Sequence, residues 1–280
     1  MRVAAERRVA VGFFDGVHLG HRRILAGADA VLTFTRHPLA VLASERAPAL
    51  IMSLEERLAA IRACGPAEVT ALDFTEELAG MSPDEFFDRH LRPHDRGGGL
   101  VVRCGADWRF GRGAVGGVEW LRGRGVTVEA APFETCGGER ISSSRIRSAL
   151  AAGEVETANA MLGWRYGVSA VPAPGKGLGN SLGFATLNFP VALPLGGGVY
   201  EVTMDGARGL ANYGFAPTTG ASRWATRVLE VHLVGGWVET KRRDEPRRVE
   251  FLRFLRPERK FPDLAALKAQ MVADCRAIGA

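Results

Sequence analysis

His18 and His21 stand with only Leu19 and Gly20 between them, in the run Gly12-Phe13-Phe14-Asp15-Gly16-Val17-His18-Leu19-Gly20-His21. Imidazoles at the opening turn of a helix can hydrogen-bond an anion that the free backbone N–H groups and the positive end of the helix dipole already attract. The chemistry such a pair serves is phosphate binding. A surface turn carrying two histidines has the same local pattern, so this run alone leaves both readings open. The second place of this kind is Ile141-Ser142-Ser143-Ser144-Arg145-Ile146-Arg147, where three serines open a short helix that Gly153 closes. One serine suffices for a cap. Three of them followed by arginines exceed that need and suit a second anion, with an ordinary capped helix as the alternative. Two phosphate-type helix starts in one domain suggest a nucleotide triphosphate held from both ends.

Three further segments carry polar groups where chemistry is plausible. Thr33-Phe34-Thr35-Arg36-His37-Pro38 delivers His37 at a strand exit, which Pro38 alone would also explain. Gly105-Ala106-Asp107-Trp108-Arg109-Phe110-Gly111-Arg112-Gly113 puts an acid, an indole and guanidiniums into a glycine-rich loop. That composition suits a planar ring bearing phosphates, and equally a basic surface loop. The third segment runs from Gly175 to Asn188 and lacks the Lys-Ser/Thr close of a Walker loop. Gly175, Gly177 and Gly179 let backbone amides approach phosphates, while Thr186 and Asn188 alternate on a strand and offer oxygens on one face for a metal ion. A glycine-rich hairpin is the plainer alternative.

The elements that must position these groups follow from periodicity. Strand-like runs fall at 9–14, 31–35, 68–74, 100–104 and 126–131, with helix-like segments after His18 and at 53–64, 82–91 and 118–123. Ser53 with Glu56 forms a capping-box pattern, and Pro83 sits at a first helical position. The short spacing between His21 and Val31 allows a helix of only about two turns. Strands alternating with helices predict a parallel sheet covered on both faces, whose ligands bind at the carboxyl ends of the strands. The loop from Asp15 to His21 lies at such an end.

After a helix at 154–161 the pattern changes to short strands at 167–171, 183–191, 198–204, 210–213, 227–234 and 248–255, separated by Gly and Pro. These predict a small antiparallel six-stranded β-barrel, with a C-terminal helix at 264–278 capped by Asp263. The fold class is therefore α/β followed by β: a Rossmann-like domain at 1–163 and a barrel domain at 164–280.

Composition narrows the function classes. The chain has 280 residues, 46% of them hydrophobic, and a net charge of +5. No apolar run is long enough to span a bilayer and no secretory signal core follows the N-terminal charges, so a cytoplasmic protein without membrane partners is expected. Cys64, Cys104, Cys136 and Cys275 are scattered and form no metal-type pair. The basic residues are dispersed without interleaved aromatics, which argues against nucleic acid and leaves polyphosphate substrates.

Taken in order and spacing, the His18/His21 run, the Thr33…Pro38 element, the Asp107 loop and the Ser142–Ser144 segment resemble the adenylyltransferase half of the bacterial bifunctional riboflavin kinase/FAD synthetases, members of the HxGH nucleotidyltransferases. The segment from Gly175 to Asn188, Glu230 in Leu229-Glu230-Val231-His232, and the stretch from Val249 to Phe261 resemble the kinase half. The resemblance covers nearly the whole chain. It implies phosphorylation of riboflavin to FMN and adenylylation of FMN to FAD with release of pyrophosphate, with ATP as co-substrate and Mg2+ as cofactor; a weak homo-oligomer is expected beside it. It implies His18, His21 and Glu230 as catalytic residues; Gly12, Phe13, Asp15, Gly16, Ser142, Ser143, Ser144, Arg147, Gly175, Gly177 and Gly179 as ATP or phosphate contacts; His37, Asp107 and Arg109 as flavin contacts; and Thr186 and Asn188 as metal ligands.

The kinase half departs from the family pattern. Ala185 replaces a proline, Asn180 and Ala216 replace arginines, and Gly235-Gly236-Trp237-Val238 replaces an aspartate-containing segment. Neither asparagine nor alanine supplies the delocalised charge and multiple donors of a guanidinium. The alternative to a bifunctional enzyme is accordingly an FAD synthetase whose kinase half serves as a flavin- or nucleotide-binding regulatory module. In the first half, Trp108 stands where the family usually has Phe.

Overall fold

The computed structural model describes residues 5–174, 184–215, 227–235 and 244–279. Gly175, Gly177, Gly179, Asn180 and Ala216, together with 236–238, lie outside the described residues. The chain divides into two units, Met1–Ser143 and Ser144–Ala280.

In the first unit, β1 (Arg7–Val11), β2 (Ala30–Phe34), β3 (Glu68–Leu72) and β4 (Leu100–Gly105) are followed by the two-residue strands β5 (Arg109–Phe110) and β6 (Gly116–Gly117), and then by β7 (Thr127–Ala131). The five longer strands form one parallel sheet in the order β3-β2-β1-β4-β7. Strand order therefore reverses at β1, and the loop leaving its carboxyl end sits at the switch point where such sheets bind ligands. Both faces are covered: Val9 and Val11 belong to one core cluster with Phe34 and Leu121, while Ala10 belongs to another with Phe14, Leu25 and Ile61.

Helix α1 (Leu19–Leu25) has seven residues, the two turns expected from the short crossover. Helices α2 (Leu39–Leu42) and α3 (Leu54–Arg62) follow, and α3 begins with the reciprocal Ser53–Glu56 capping box. Strand β1 ends at Val11, short of the expected 14, and Phe14 takes a positive φ of 59° that a strand cannot hold. The helix expected at 82–91 is α-helical only over Pro83–Phe86 and widens to a π-turn at Phe87–Leu91. Pro93, just beyond, cannot donate a backbone hydrogen bond and crowds the preceding turn.

The helix Ser143–Ala152 begins at the last residue of the first unit and runs into the second, where the helix Val155–Leu162 follows. Its antiparallel sheet has the spatial order Gly167–Ala170, Arg247–Arg256, Gly198–Met204, Ala207–Phe215, Arg227–Leu233, Thr186–Phe189. An isolated bridge between Ala173 and Asn188 brings the chain beyond the first of these strands against the last, which curls the sheet toward the expected barrel. Leu229, Val231 and Leu233 alternate into its core beside Tyr200, Tyr213 and Phe251. The C-terminal helix Leu264–Ala277 is capped by the Asp263 carboxylate, which accepts from the Ala266 N–H at 2.7 Å. It is tied to the sheet by Arg256, whose Nε donates to Asp274 Oδ1 at 3.0 Å. Among the described residues no helix is long and apolar enough to cross a membrane.

Candidate active sites

His18 is the N-cap of α1, and its Nδ1 accepts from the His21 N–H at 3.2 Å. That bond fixes the neutral tautomer of His18 with its proton on Nε2, so the ring is a hydrogen-bond donor on its other side. The rings of His18 and His21 stack, with centroids 3.5 Å apart and planes 17° from parallel. Burial, reinforced by the Arg140 charge, pulls the His18 pKa down to about 4. Burial together with His18 holds His21 well below its usual range, and among the described residues the buried His21 Nδ1 has no hydrogen-bond partner. Two neutral imidazoles side by side, one with an unmet hydrogen-bonding atom, are ready to receive a ligand.

The loop from Gly12 to His18 is shaped by short contacts. A Cβ at position 12 would lie 2.9 Å from the Phe14 ring, and Gly16 takes a φ of 85° that suits glycine. Asp15 is buried, and its carboxylate accepts from the Ile51 N–H at 3.0 Å. Its backbone carbonyl accepts from Ser143 Oγ at 2.8 Å, which ties the serine motif to the histidine loop.

A cavity of about 260 Å³ opens over these groups, lined among others by Gly12, Phe13, His18, His21, Ser142 and Ser143. Asp107, Trp108, Phe133 and Arg140 also line it. Asp107 pairs with Arg140 at 2.6 Å, and the Arg140 guanidinium lies 3.5 Å from the centroid of Phe133. Of the other residues named from sequence in this unit, Asp15 and Gly16 shape the loop without lining the cavity. His37 is also outside the lining: its Nδ1 accepts from the Leu39 N–H at 3.1 Å and its ring meets Phe13 edge-on at 4.9 Å. Arg109 is exposed on β5. Ser144 and Arg147 belong to the second unit, where Arg147 Nη2 donates to Ser144 Oγ at 3.1 Å.

In the second unit, strand register assembles what the sequence left apart. Asn188 pairs directly with Glu230, and Glu230 in turn with Asn212, so the three share one face in a row across three strands. Thr186, two residues before Asn188, is on the same face opposite His232. Glu230 is exposed while its neighbours Leu229 and Val231 are buried, so this row is on the outer face of the sheet.

Sequence reasoning passed over Arg57, Arg140 and Asn212. Arg57 carried a signal: a guanidinium four positions before Ile61, on the core-facing side of α3. Arg140 directly precedes the serine motif, and nothing short of strand register could have paired Asn212 with Glu230.

A family model described as FAD synthetase matches residues 2–145, and one described as riboflavin kinase matches residues 162–280. A bifunctional riboflavin kinase/FMN adenylyltransferase from Escherichia coli (strain K12) is 32% identical over 95% of this chain and 90% of its own length. Proteins of the same description from Bacillus subtilis (strain 168) and Pseudomonas fluorescens are 32% and 34% identical, over 96% and 95% of this chain and 90% of each of their own. The chain belongs to the bifunctional riboflavin kinase/FMN adenylyltransferase family. Both family domains are present, and the riboflavin kinase match holds despite Asn180, Ala185 and Ala216. A crystal structure described as a macrolide-efflux protein from Streptococcus pneumoniae superposes with a TM-score of 0.83 at 24% identity, covering 98% of this chain and 93% of that one. At that identity the likeness carries the fold alone.

Proposed function

We propose that this chain converts riboflavin to FMN and FMN to FAD, using ATP in both steps, with functional domains at 1–163 and 164–280. The observation that carries this reading is the meeting of His18, His21, Ser142 and Ser143 on one cavity in a chain of this family. For FAD formation, a phosphate oxygen of FMN attacks the α-phosphorus of ATP and pyrophosphate leaves. The protein's work is positioning and charge stabilisation. His18 donates through Nε2 to a phosphate oxygen that gains charge, His21 supplies its unmet ring nitrogen, and Ser142 and Ser143 donate to the departing pyrophosphate. Asp15 and Gly16 hold the loop, while Gly12 and Phe13 let the nucleotide approach it. Asp107, with His37 and Arg109 at greater remove, serves the flavin side. Arg147 and Ser144 extend the phosphate-binding motif.

For FMN formation, Glu230 accepts the proton of the ribityl hydroxyl as that oxygen attacks the γ-phosphorus of ATP. Gly175, Gly177 and Gly179 approach the phosphates through their amides. Thr186 and Asn188 offer hard oxygen donors on the Glu230 face, a set that fits Mg2+ held jointly by side chains and substrate phosphates. Magnesium bound there would screen the phosphate charge. A weakly self-associating cytoplasmic enzyme, acting on small molecules rather than nucleic acid or membrane, fits these substrates.

The test is to incubate the full chain with ATP, magnesium and either riboflavin or FMN, and to resolve the flavins by chromatography. FMN and FAD are the expected products. Turnover of FMN without any turnover of riboflavin would reduce the kinase half to a relic. His21→Asn should lower FAD formation about a hundredfold or more, as expected on losing one stabilising group, and unchanged FAD formation would remove His21 from the mechanism.

A further inference from the structure

Arg57 is 0% exposed, yet among the described residues it makes no ion pair, and its Nε and Nη1 have no hydrogen-bond partner. Burying a guanidinium is costly unless it is fully compensated, so stability alone favours an apolar side chain at this helix position. What Arg57 does contact is specific. Its Nη2 donates to the carbonyls of Phe34 and Thr35, where β2 ends, and its guanidinium lies 3.8 Å from the centroid of the Phe13 ring. The same ring meets the edge of His37, and the Phe13 carbonyl accepts from Thr33 Oγ1 at 3.2 Å. The Asp15 carboxylate acts electrostatically on Arg57 from the loop itself.

We infer that Arg57 is a positioning residue for adenylyl transfer, clamping the nucleotide-facing loop at Phe13 to the flavin-facing exit of β2 at His37. The role rests on the proposed FAD synthesis. One planar cation stacks on the loop while its Nη2 is shared between two carbonyls of the strand exit, which couples the two loops. A lysine keeps the charge and can reach a carbonyl, but it has no planar face to lay on Phe13.

The test measures FAD formation by the full chain with Arg57→Met and Arg57→Lys, varying ATP and FMN separately. Misalignment of reactants lowers kcat more than binding. The expected result is a kcat loss of about tenfold or more for Arg57→Met, with either KM moved by less than about threefold, and partial recovery in Arg57→Lys. Riboflavin phosphorylation by the same preparations should be unchanged, which a global folding defect would not allow. Should Arg57→Met fail to fold, Phe13→Leu tests the same contact from its other side. Its kcat should fall, and adding Arg57→Lys should deepen the loss less than additively. An Arg57→Met kcat within about twofold of wild type, or additive losses in the double variant, overturns the role. Wild type that makes no FAD defeats the underlying reading and this role with it; wild type that makes FAD beside undiminished variants defeats only the role of Arg57.

Discussion

At His18 and His21, burial and neighbouring positive charge act in the same direction, and both favour the neutral imidazole. In the unfolded chain each ring titrates near its ordinary value of about 6.5. As the pH falls through that value, the unfolded state takes up protons that the native state refuses until about pH 4 at His18. Stability of the first unit should therefore decrease between pH 6.5 and about 4, and His18→Gln should flatten part of that slope in urea titrations at successive pH values. Bound phosphate reverses the electrostatics by favouring imidazolium. Substrate binding at pH 7 should consequently take up protons, read as a calorimetric binding enthalpy that varies with the ionisation enthalpy of the buffer. A buffer-independent enthalpy would show that the histidines stay neutral in the complex. Arg140, which also lines the cavity, is held by Asp107 and stacked on Phe133, which keeps its charge there.

At the scale of the element, the decisive piece is the loop between β1 and α1. Phe14 and Val17 hold positive φ values of 59° and 38°, a conformation that costs on the order of 1–3 kcal/mol per residue. Burial of both side chains, the Asp15–Ile51 bond and the Ser143 hydroxyl on the Asp15 carbonyl hold the loop there. Gly16→Ala places a Cβ at φ 85° and should cost about 1–2 kcal/mol, measured as a lower unfolding midpoint of the first unit. In the second unit, Asp263→Ala removes the cap of the C-terminal helix and should cost about 1 kcal/mol. An unchanged midpoint in that variant would mean that the cap contributes nothing beyond the packing of the helix.

On the scale of the molecule, the chain divides into two units, each carrying one candidate site. The two activities should fail separately. Glu230→Gln should abolish FMN formation from riboflavin while leaving FAD formation from FMN, and His21→Asn should make FMN accumulate when riboflavin is supplied. Simultaneous loss of both activities in either variant would contradict two independent sites. The sequence by itself determined the order of elements, the parallel and antiparallel halves, and the His18/His21 and Ser142/Ser143 motifs, because periodicity, caps and glycine placement are local properties of the chain. Tertiary structure alone decided that Ser143 reaches the Asp15 carbonyl, that Glu230 falls between Asn188 and Asn212, and that Arg57 is buried against Phe13. These depend on strand order, register and side-chain packing between distant segments, none of which leaves a periodic trace along the chain.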